Sequence, residues 1–426
     1  MNADFKPTSY RLECLECGKV FEKDNHLLSC DEGHSPSLLR ADYRNVRLSI
    51  KGSSNGMFIF KDWLPLRRYI KTDSIPVVFK SEALALEVGL ENLWIVFSGY
   101  WPERGANMKT CTFKELEAPP VCSRLEESSQ TLVVASAGNT ARAFAELCSV
   151  NEIPLLLVVH EAGLDCIWST RAFSSSVRLV AVTGGADYLD AIQVADMISK
   201  LPGYIPEGGA KNVARRDGMG TALLAAALEI GRIPDHYFQA VGSGTGGIAA
   251  WEASERLVRD GRYGSAKMKL HLAQNYPFTP MTESWKKGSR ILPEIEESAL
   301  KEKVSQISAH VLSNRKPPYG IRGGVFDALT ATNGLMYSVT NEEASASGGR
   351  FEELEGIDLD PAAAVALGAL KQAFESGSID KKEVVLLNIT GGGKKRLYED
   401  YKIHKLEPHI TLRLDEITQE TIERLF

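Results

Sequence analysis

The chain has 426 residues, of which 44% are hydrophobic and 24% are charged, which is typical of a globular protein with room for two or three domains. Its net charge of -6 and its lack of a basic arm argue against nucleic-acid binding. No apolar run approaches the roughly 18 residues of a membrane span, and residues 1–10 lack a signal-like apolar segment. We therefore expect a cytoplasmic protein with no membrane partner. Its seven cysteines, none beyond Cys166, indicate reduced thiols rather than a disulfide framework.

Four candidate metal ligands lie near the amino terminus. Cys14 and Cys17 are separated by two residues, and after twelve more residues Cys30 and His34 form a Cys-x3-His pair. This spacing can bring three thiolates and one imidazole onto a tetrahedral zinc ion. A small ribbon that folds without metal is the alternative, and neither interpretation gives this segment a catalytic role.

Strand and helix patterns alternate through the rest of the chain. We expect strands at 93–97, 131–135, 153–159, 178–182, 237–241 and 384–389, and helices at 81–89, 141–147, 188–201, 221–230, 248–259 and 414–426. A helix that begins near Lys114 is expected to be cut short by Pro119-Pro120, and Asp217-Gly218 is interpreted as part of a crossing between two units. Such alternation predicts an α/β fold with parallel sheets.

Two polar loops each join an expected strand to an expected helix. Ser136-Ala137-Gly138-Asn139-Thr140 is the asparagine loop, and Gly242-Ser243-Gly244-Thr245-Gly246-Gly247 is the glycine loop. The N–H groups and the dipole at a helix amino terminus suit anions, and glycine lets the backbone approach a phosphate closely. Helix capping alone is the alternative for Asn139. A nucleotide-binding fingerprint is the alternative for the glycine loop, although the acidic ribose contact of that fingerprint is missing.

Four motifs occur in a characteristic order: Thr112-Phe113-Lys114-Glu115, the asparagine loop, the glycine loop, and Thr390 before Gly391-Gly392-Gly393. They resemble the motifs of the fold-type II, tryptophan synthase β-like pyridoxal-phosphate enzymes, which include threonine synthase. The resemblance implies two doubly wound, open parallel-sheet α/β subdomains with the cofactor between them. The expected units are a zinc-ribbon-like segment at 1–45, a larger cofactor-binding domain at 46–120 and 205–426, and a smaller domain at 121–204.

The resemblance also implies a role for each motif. Lys114 would hold pyridoxal 5'-phosphate covalently and move the substrate's α proton, whereas a solvated surface group is the alternative for this lysine taken alone. Asn139 would bond the cofactor's phenolic oxygen and Thr390 would face its pyridine nitrogen. The cofactor phosphate would be bound by Gly242, Ser243, Gly244, Thr245 and Gly246. The substrate carboxylate would be received by Ser136, Ala137, Gly138 and Thr140.

Lys109 favours one reaction among those that the resembled family implies. A cation five residues before Lys114 could meet a second anion, although a solvated loop lysine is the alternative; Arg104 and Lys394 are weaker candidates for the same task. With the overall resemblance to threonine synthase, this implies a β-replacement in which sulfite displaces the phosphate of O-phosphoserine. Threonine formation from O-phosphohomoserine, or a catalytically silent cofactor-binding paralogue, are the alternatives. A homo-oligomer is expected.

Overall fold

The structure is a computed structural model that describes residues 5–50, 56–125, 130–136 and 138–426. Its strands are β1 Tyr10–Cys14, β2 Val20–Phe21, β3 Leu39–Tyr43, β4 Val77–Lys80, β5 Leu93–Phe97, β6 Tyr100–Trp101, β7 Ala106–Asn107, β8 Thr131–Ala135, β9 Leu155–His160, β10 Trp168–Ser169, β11 Val177–Thr183, β12 Tyr204–Pro206, β13 His236–Ala240, β14 Lys269–Asn275, β15 Leu335–Val339, β16 Val385–Ile389, β17 His404–Lys405 and β18 Ile410–Arg413.

The α-helices are α1 Ala83–Val88, α2 Ala118–Arg124, α3 Asn139–Asn151, α4 Tyr188–Ile198, α5 Val213–Ile230, α6 Thr245–Asp260, α7 Pro280–Lys286, α8 Glu297–Gln306, α9 Val325–Ala331, α10 Asn341–Glu355, α11 Pro361–Glu375, α12 Lys394–Asp400 and α13 Gln419–Leu425. Short 3-10 helices lie at Gly56–Trp63, Pro102–Arg104, Phe113–Leu116, Glu161–Cys166, Gly209–Lys211, His310–Leu312 and Leu414–Glu416. Among the described helices, none is long and apolar enough to cross a membrane.

Two sheets form the centre of the molecule. In the described ranges the larger sheet has the order β15-β14-β13-β16-β5-β4, parallel except for the antiparallel pair β4 and β5. The smaller sheet has the order β12-β8-β9-β11-β18 and is parallel throughout. Strands such as Val385–Ile389 are buried along their whole length, as expected for parallel strands covered by helices on both faces. The predicted α/β class with doubly wound parallel sheets is confirmed.

The carboxyl-terminal end of the chain returns to the smaller sheet. The sequence-based division placed all of 205–426 in the larger unit, but Ile410–Arg413 pairs in parallel with Val177–Thr183. The helix expected at 414–426 is divided into a 3-10 turn and α13, whose Ile422 is buried in the same apolar cluster as α4. The alternating apolar residues of 410–413 therefore complete the edge of the smaller sheet.

Two expectations about where helices begin and end were wrong. Pro119 and Pro120 open α2 instead of ending a helix, because proline fits the first helical turn, where its missing N–H is not needed. Asp217 and Gly218 lie inside α5, which begins at Val213. Asp217 is buried there because Arg256 and the hydroxyl of Tyr43 bind its carboxylate, so a polar pair that looked like a turn is part of a helix in the core.

Candidate active site

The predicted motifs lie at the carboxyl ends of parallel strands. The Lys114 segment, the glycine loop and Thr390 follow β5, β13 and β16, which are neighbours in the larger sheet. The asparagine loop follows β8, inside the smaller sheet. Open α/β sheets bind ligands outside the carboxyl ends of their strands, so the topology places all four motifs where such a site forms.

The turn that carries Lys114 is bound directly to the segment that contains Thr390. The Phe113 N–H donates to the Thr390 carbonyl at 2.9 Å, and Thr112 forms an isolated antiparallel bridge with Gly391. Thr112 also caps the 3-10 helix Phe113–Leu116, since its hydroxyl accepts from the Lys114 N–H at 3.4 Å. Lys114 thus lies in the first turn of a short helix, as expected, beside the end of β16.

The Lys114 ammonium faces a fully buried carboxylate. Its Nζ lies 3.6 Å from Oε2 of Glu117 and 4.7 Å from the centre of the Phe113 ring. Burial lowers the pKa of Lys114 below its ordinary value and the positive charge of Arg215 lowers it further, although the charge of Glu117 opposes both. A lowered pKa leaves more of the amine neutral, which is the form that attacks a carbonyl carbon.

Arg215 connects Lys114 to the asparagine loop. Its guanidinium lies 3.0 Å from Glu117 and 2.7 Å from Glu207, and it donates to the hydroxyl of Thr140 at 3.1 Å. Burial raises the pKa of Glu207, which the neighbouring Arg215 opposes. Sequence reasoning missed Glu117, Arg215 and Glu207 because their roles depend on pairing across distant segments. The one available signal was that the pair Arg215-Arg216 shortly precedes the apolar run at 222–228.

The asparagine loop begins α3. Asn139 is the first residue of that helix, and its Oδ1 accepts from Nη2 of Arg142 at 2.7 Å. The Gly138 N–H donates to the hydroxyl of Ser136 at 3.2 Å. Ala137 lies outside the described residues. The loop thus places an asparagine amide and a helix amino terminus together, an arrangement that can bind an anion.

The glycine loop is shaped by close contacts that a side chain would block. A Cβ on Gly246 would lie 2.1 Å from the amide nitrogen of Gln239, and one on Gly242 would lie 3.0 Å from backbone atoms of Leu312. Gly244 has φ +79°, a left-handed conformation that favours glycine, immediately before α6. The loop leads from β13 into the amino terminus of α6, as a phosphate cradle requires.

The three cations considered for a second anion each contact another group. Nζ of Lys109 lies 5.1 Å from the centre of the Tyr401 ring, and Lys394 binds Asp360 at 3.2 Å. Arg104 packs over Phe79 of the edge strand β4, with its guanidinium 4.1 Å from the ring centre, and it pairs with Glu355. Arg104 is thereby held at the sheet edge, whereas half-buried Lys109 remains in the segment that leads to Lys114.

The amino-terminal ligand set forms one cluster. The donor atoms of Cys14, Cys17, Cys30 and His34 all lie within 4.8 Å of one another. Sγ of Cys17 is 3.8 Å from Sγ of Cys30, and Sγ of Cys14 is 3.4 Å from Nε2 of His34. Tetrahedral zinc with bonds of about 2.3 Å to sulfur separates its sulfur ligands by about 3.8 Å. The cluster therefore fits a structural zinc ion.

Comparison with known proteins defines the class of this one. Residues 99–391 match the family described as "Pyridoxal-phosphate dependent enzyme", and the chain belongs to that family. Its fold is similar to that of maize serine racemase (14% identity, TM-score 0.54, 76% of this chain and 91% of that chain). It is also similar to a pyridoxal 5'-phosphate-dependent aspartate racemase (16% identity, TM-score 0.56, 75% and 90%). The expected fold-type II architecture is confirmed.

Several curated relatives that match over nearly the whole chain are named cysteate synthase. The cysteate synthase of Methanosarcina mazei is 49% identical over 97% of this chain and 99% of its own length. The cysteate synthase of Methanocella arvoryzae is 50% identical over 97% and 98%, respectively. The half-buried Lys114 and the glycine cradle fit the cofactor of this family, since the lysine can attach its aldehyde and the cradle can hold its phosphate.

Proposed function

We propose that this protein is a cysteate synthase, which converts O-phospho-L-serine and sulfite into L-cysteate and phosphate. The observation that carries the proposal is the 49% identity to curated cysteate synthases over nearly the full length of both chains. In the reaction the bond between Cβ and the phosphate oxygen breaks, and a bond from Cβ to the sulfite sulfur forms. The α proton leaves and later returns, so the net change is a substitution at Cβ.

Lys114 is proposed to do the proton chemistry. When bound, pyridoxal phosphate supplies an electron sink that stabilises negative charge at the α carbon. Lys114 Nζ holds the cofactor before the substrate arrives, then removes the α proton and later returns it. Burial suits the amine to this task because it lowers the pKa of Lys114. Glu117 and Arg215 fix its position and balance its charge.

The two loops are proposed to orient the ligands. The Gly242–Gly246 backbone and the hydroxyls of Ser243 and Thr245, 2.8 Å apart, receive the cofactor phosphate. Asn139 donates to the phenolic oxygen, and Thr390 faces the pyridine nitrogen. The substrate carboxylate is received by Ser136, Ala137, Gly138 and Thr140, of which Gly138 and Thr140 lie at the amino terminus of α3.

Product analysis tests the reaction directly. Purified protein loaded with pyridoxal phosphate is incubated with O-phosphoserine, with and without sulfite, and phosphate and cysteate are measured. We expect one cysteate per phosphate released when sulfite is present. Threonine formed from O-phosphohomoserine, without cysteate from O-phosphoserine, would instead identify a threonine synthase. Cofactor absorbance without turnover of either substrate would identify a silent paralogue.

Reduction with borohydride tests the role of Lys114. We expect the reduced cofactor to be attached to a single peptide, the one that contains residue 114, and to be absent from the Lys114→Ala variant. Lys267→Ala, which removes an exposed lysine, is the matched control and should retain the attached cofactor. Attachment that survives in Lys114→Ala would disprove the assignment.

Lys109 is proposed to stabilise the leaving phosphate and then the incoming sulfite, since both are anions that occupy nearly the same place. Lys109→Ala should lower turnover about tenfold or more with little change in cofactor affinity. Lys109→Arg keeps the charge and should restore part of the activity. Equal turnover in the wild type and the alanine variant would show that Lys109 is only a surface cation packed on Tyr401.

Three further proposals accompany this function. The Cys14, Cys17, Cys30 and His34 cluster holds a structural zinc ion rather than taking part in catalysis. The larger, cofactor-binding domain spans 46–120 and 205–426, and the smaller domain, which carries the asparagine loop, spans 121–204, except that β18 and α13 join the smaller unit. The enzyme serves coenzyme M biosynthesis in the cytoplasm as a homo-oligomer, without nucleic-acid or membrane partners.

A further inference from the structure

Arg142 is a buried cation whose bonding partners are all neutral. Its side chain is 1% exposed, and its three nitrogens donate to the Thr110 carbonyl at 3.0 Å, the Cys166 carbonyl at 3.1 Å and Oδ1 of Asn139 at 2.7 Å. The guanidinium also lies 4.4 Å from the centre of the Trp168 ring. Among the described residues, no carboxylate forms an ion pair with it.

An unpaired buried charge is costly, and most buried arginines of this protein avoid that cost. Arg124 binds Asp24, Arg216 binds Glu252, and both of those carboxylates are buried. Burial lowers the pKa of Arg142 from its ordinary value, as expected for a cation without such a partner. Its position beside the asparagine loop indicates that the charge has a use there.

The contact between Arg142 and Asn139 determines which way the asparagine amide points. A guanidinium has only donors, so the atom of Asn139 that faces it must be the oxygen. The amide nitrogen of Asn139 therefore points away from Arg142 and remains available as a donor. A flipped amide would present a lone pair to a ligand oxygen and would leave the Arg142 N–H without its acceptor.

We propose that Arg142 is a positioning residue that locks the Asn139 amide in the orientation that donates to the phenolic oxygen of the cofactor. The arginine also holds the lysine loop, because it binds the Thr110 carbonyl four residues before Lys114. Its positive charge stabilises negative charge on the oxygen that Asn139 contacts. The inference rests on the proposed cofactor site, and it deepens the role of Asn139 there.

A double-mutant cycle tests the coupling between the two side chains. Affinity for pyridoxal phosphate is measured by titrating the apo forms of the wild type, Asn139→Ala, Arg142→Gln and the double variant. We expect Asn139→Ala to weaken affinity about tenfold in the wild type but less than about twofold in the Arg142→Gln background. The same factor in both backgrounds would overturn the proposal, because it would make Arg142 independent of Asn139.

The pH titration of the cofactor's visible absorbance band is the second readout. Loss of a donor to the phenolic oxygen destabilises the deprotonated form, so the midpoint should rise in both Asn139→Ala and Arg142→Gln. Arg178→Gln, which removes another half-buried arginine of the smaller sheet, is the control and should leave the midpoint unchanged. A midpoint that rises in Asn139→Ala but not in Arg142→Gln would contradict the proposal.

Asn139→Asp gives a test that does not depend on Arg142→Gln folding. The aspartate would give Arg142 the carboxylate it lacks, so the melting temperature of the apo protein should rise. It would also present an acceptor where the cofactor needs a donor, so affinity should fall at least as far as in Asn139→Ala. An apo protein that is not stabilised would overturn the proposed contact. If pyridoxal phosphate does not bind the wild type, the proposed function fails, while this apo measurement still reports on Arg142 and Asn139.

Discussion

The guanidinium of Arg215 lies 3.0 Å from the carboxylate of Glu117, which is fully buried and also faces Lys114. Two cations thus share one carboxylate, and Glu207 supplies the second negative charge on the far side of Arg215. Because Arg215 also binds Thr140, a change at Glu117 reaches both the lysine and the asparagine loop. This cluster connects the two sheets through charge as well as through packing.

Glu117→Gln is predicted to shift the pH dependence of cofactor attachment. The charge of Glu117 raises the pKa of Lys114 while burial and Arg215 lower it, so removing that charge lowers the pKa further. The pH at which half of the apo protein attaches the cofactor should therefore fall. Because a buried partner of Arg215 is lost, the free energy of unfolding should drop by about 3–5 kcal/mol.

Titration of cofactor attachment and urea unfolding of the apo protein check both effects of Glu117→Gln. Glu353→Gln, which breaks an exposed pair with Arg350, is the control and should change stability by less than about 1 kcal/mol. An attachment midpoint that stays in place or rises would show that Glu117 does not control the Lys114 amine.

Much of the architecture could be predicted because local sequence patterns, such as short apolar runs between turn residues, indicate its strands and helices. The strands 93–97 and 131–135 have the bounds expected from the sequence, since short apolar runs between turn residues leave little choice of boundary. The start of α5 was missed because Asp217 looked like a turn residue. Its burial depends on Arg256 and Tyr43, which are distant in sequence.

The residues of the candidate site likewise divide into those that a local motif indicates and those that only tertiary contacts bring there. Lys114, Asn139 and Thr390 could be proposed from the sequence because each lies in a short motif with its own local geometry. Arg142 and Arg215 were missed because a charged residue in a helix is usually solvated. Only tertiary contacts show that Arg142 is buried beside the candidate site and that Arg215 is largely covered there. Such contacts are absent from any local pattern.

Glu115 is predicted to make the stability of the apo protein depend on pH. Burial raises the pKa of Glu115 to about 7 from an ordinary value of 4.5, although the amide and hydroxyl of Thr110 and the hydroxyl of Ser74 donate to it. Between these values the folded state binds more protons than the unfolded state. The contribution of Glu115 to the free energy of unfolding is therefore complete below about pH 4.5 and is lost as the pH rises through about 7.

The change in the free energy of unfolding that Glu115 causes should be on the order of 3 kcal/mol, since each pKa unit corresponds to about 1.4 kcal/mol. Unfolding free energies of the wild type and Glu115→Gln are measured from pH 4 to 8, because other groups titrate in both proteins and cancel in the difference. The free energy of unfolding of the wild type, relative to that of Glu115→Gln, should fall as the pH rises from about 4.5 to about 7. Parallel curves would mean that the carboxyl group has an ordinary pKa.

Removal of zinc is predicted to destabilise the amino-terminal segment. Cys17→Ser and Cys30→Ser should each reduce bound zinc from about one ion per chain to a small fraction, because three remaining ligands hold the ion weakly. Elemental analysis measures the zinc content, and a chelator should lower the melting temperature of the wild type but not of Cys17→Ser or Cys30→Ser. Cys166→Ser is the control, since its thiol lies outside the cluster. Metal-free protein with unchanged stability would favour a ribbon that folds without metal.

Gly218 is predicted to be required for the position of the Lys114 turn. A Cβ at this helix-interior glycine would lie 2.2 Å from the carbonyl oxygen of Leu116, which ends the 3-10 helix that contains Lys114. Helix propensity alone favours alanine over glycine by about 1 kcal/mol. Propensity therefore predicts that Gly218→Ala stabilises the protein, whereas packing predicts that it destabilises the protein. Because the contact is with backbone, packing should prevail, and Gly218→Ala should destabilise the protein by about 1–3 kcal/mol.

Gly349→Ala provides the matched comparison. Gly349 also lies inside a helix, α10, but nothing lies within 4 Å of the Cβ position, so alanine there should stabilise the protein by about 0.5–1 kcal/mol. Urea unfolding of the two variants gives the signs, and cofactor affinity should fall only in Gly218→Ala, because only there is the Leu116 carbonyl displaced. If both variants were stabilised with unchanged affinity, the close approach of α5 to the Lys114 turn would have no part in holding the site.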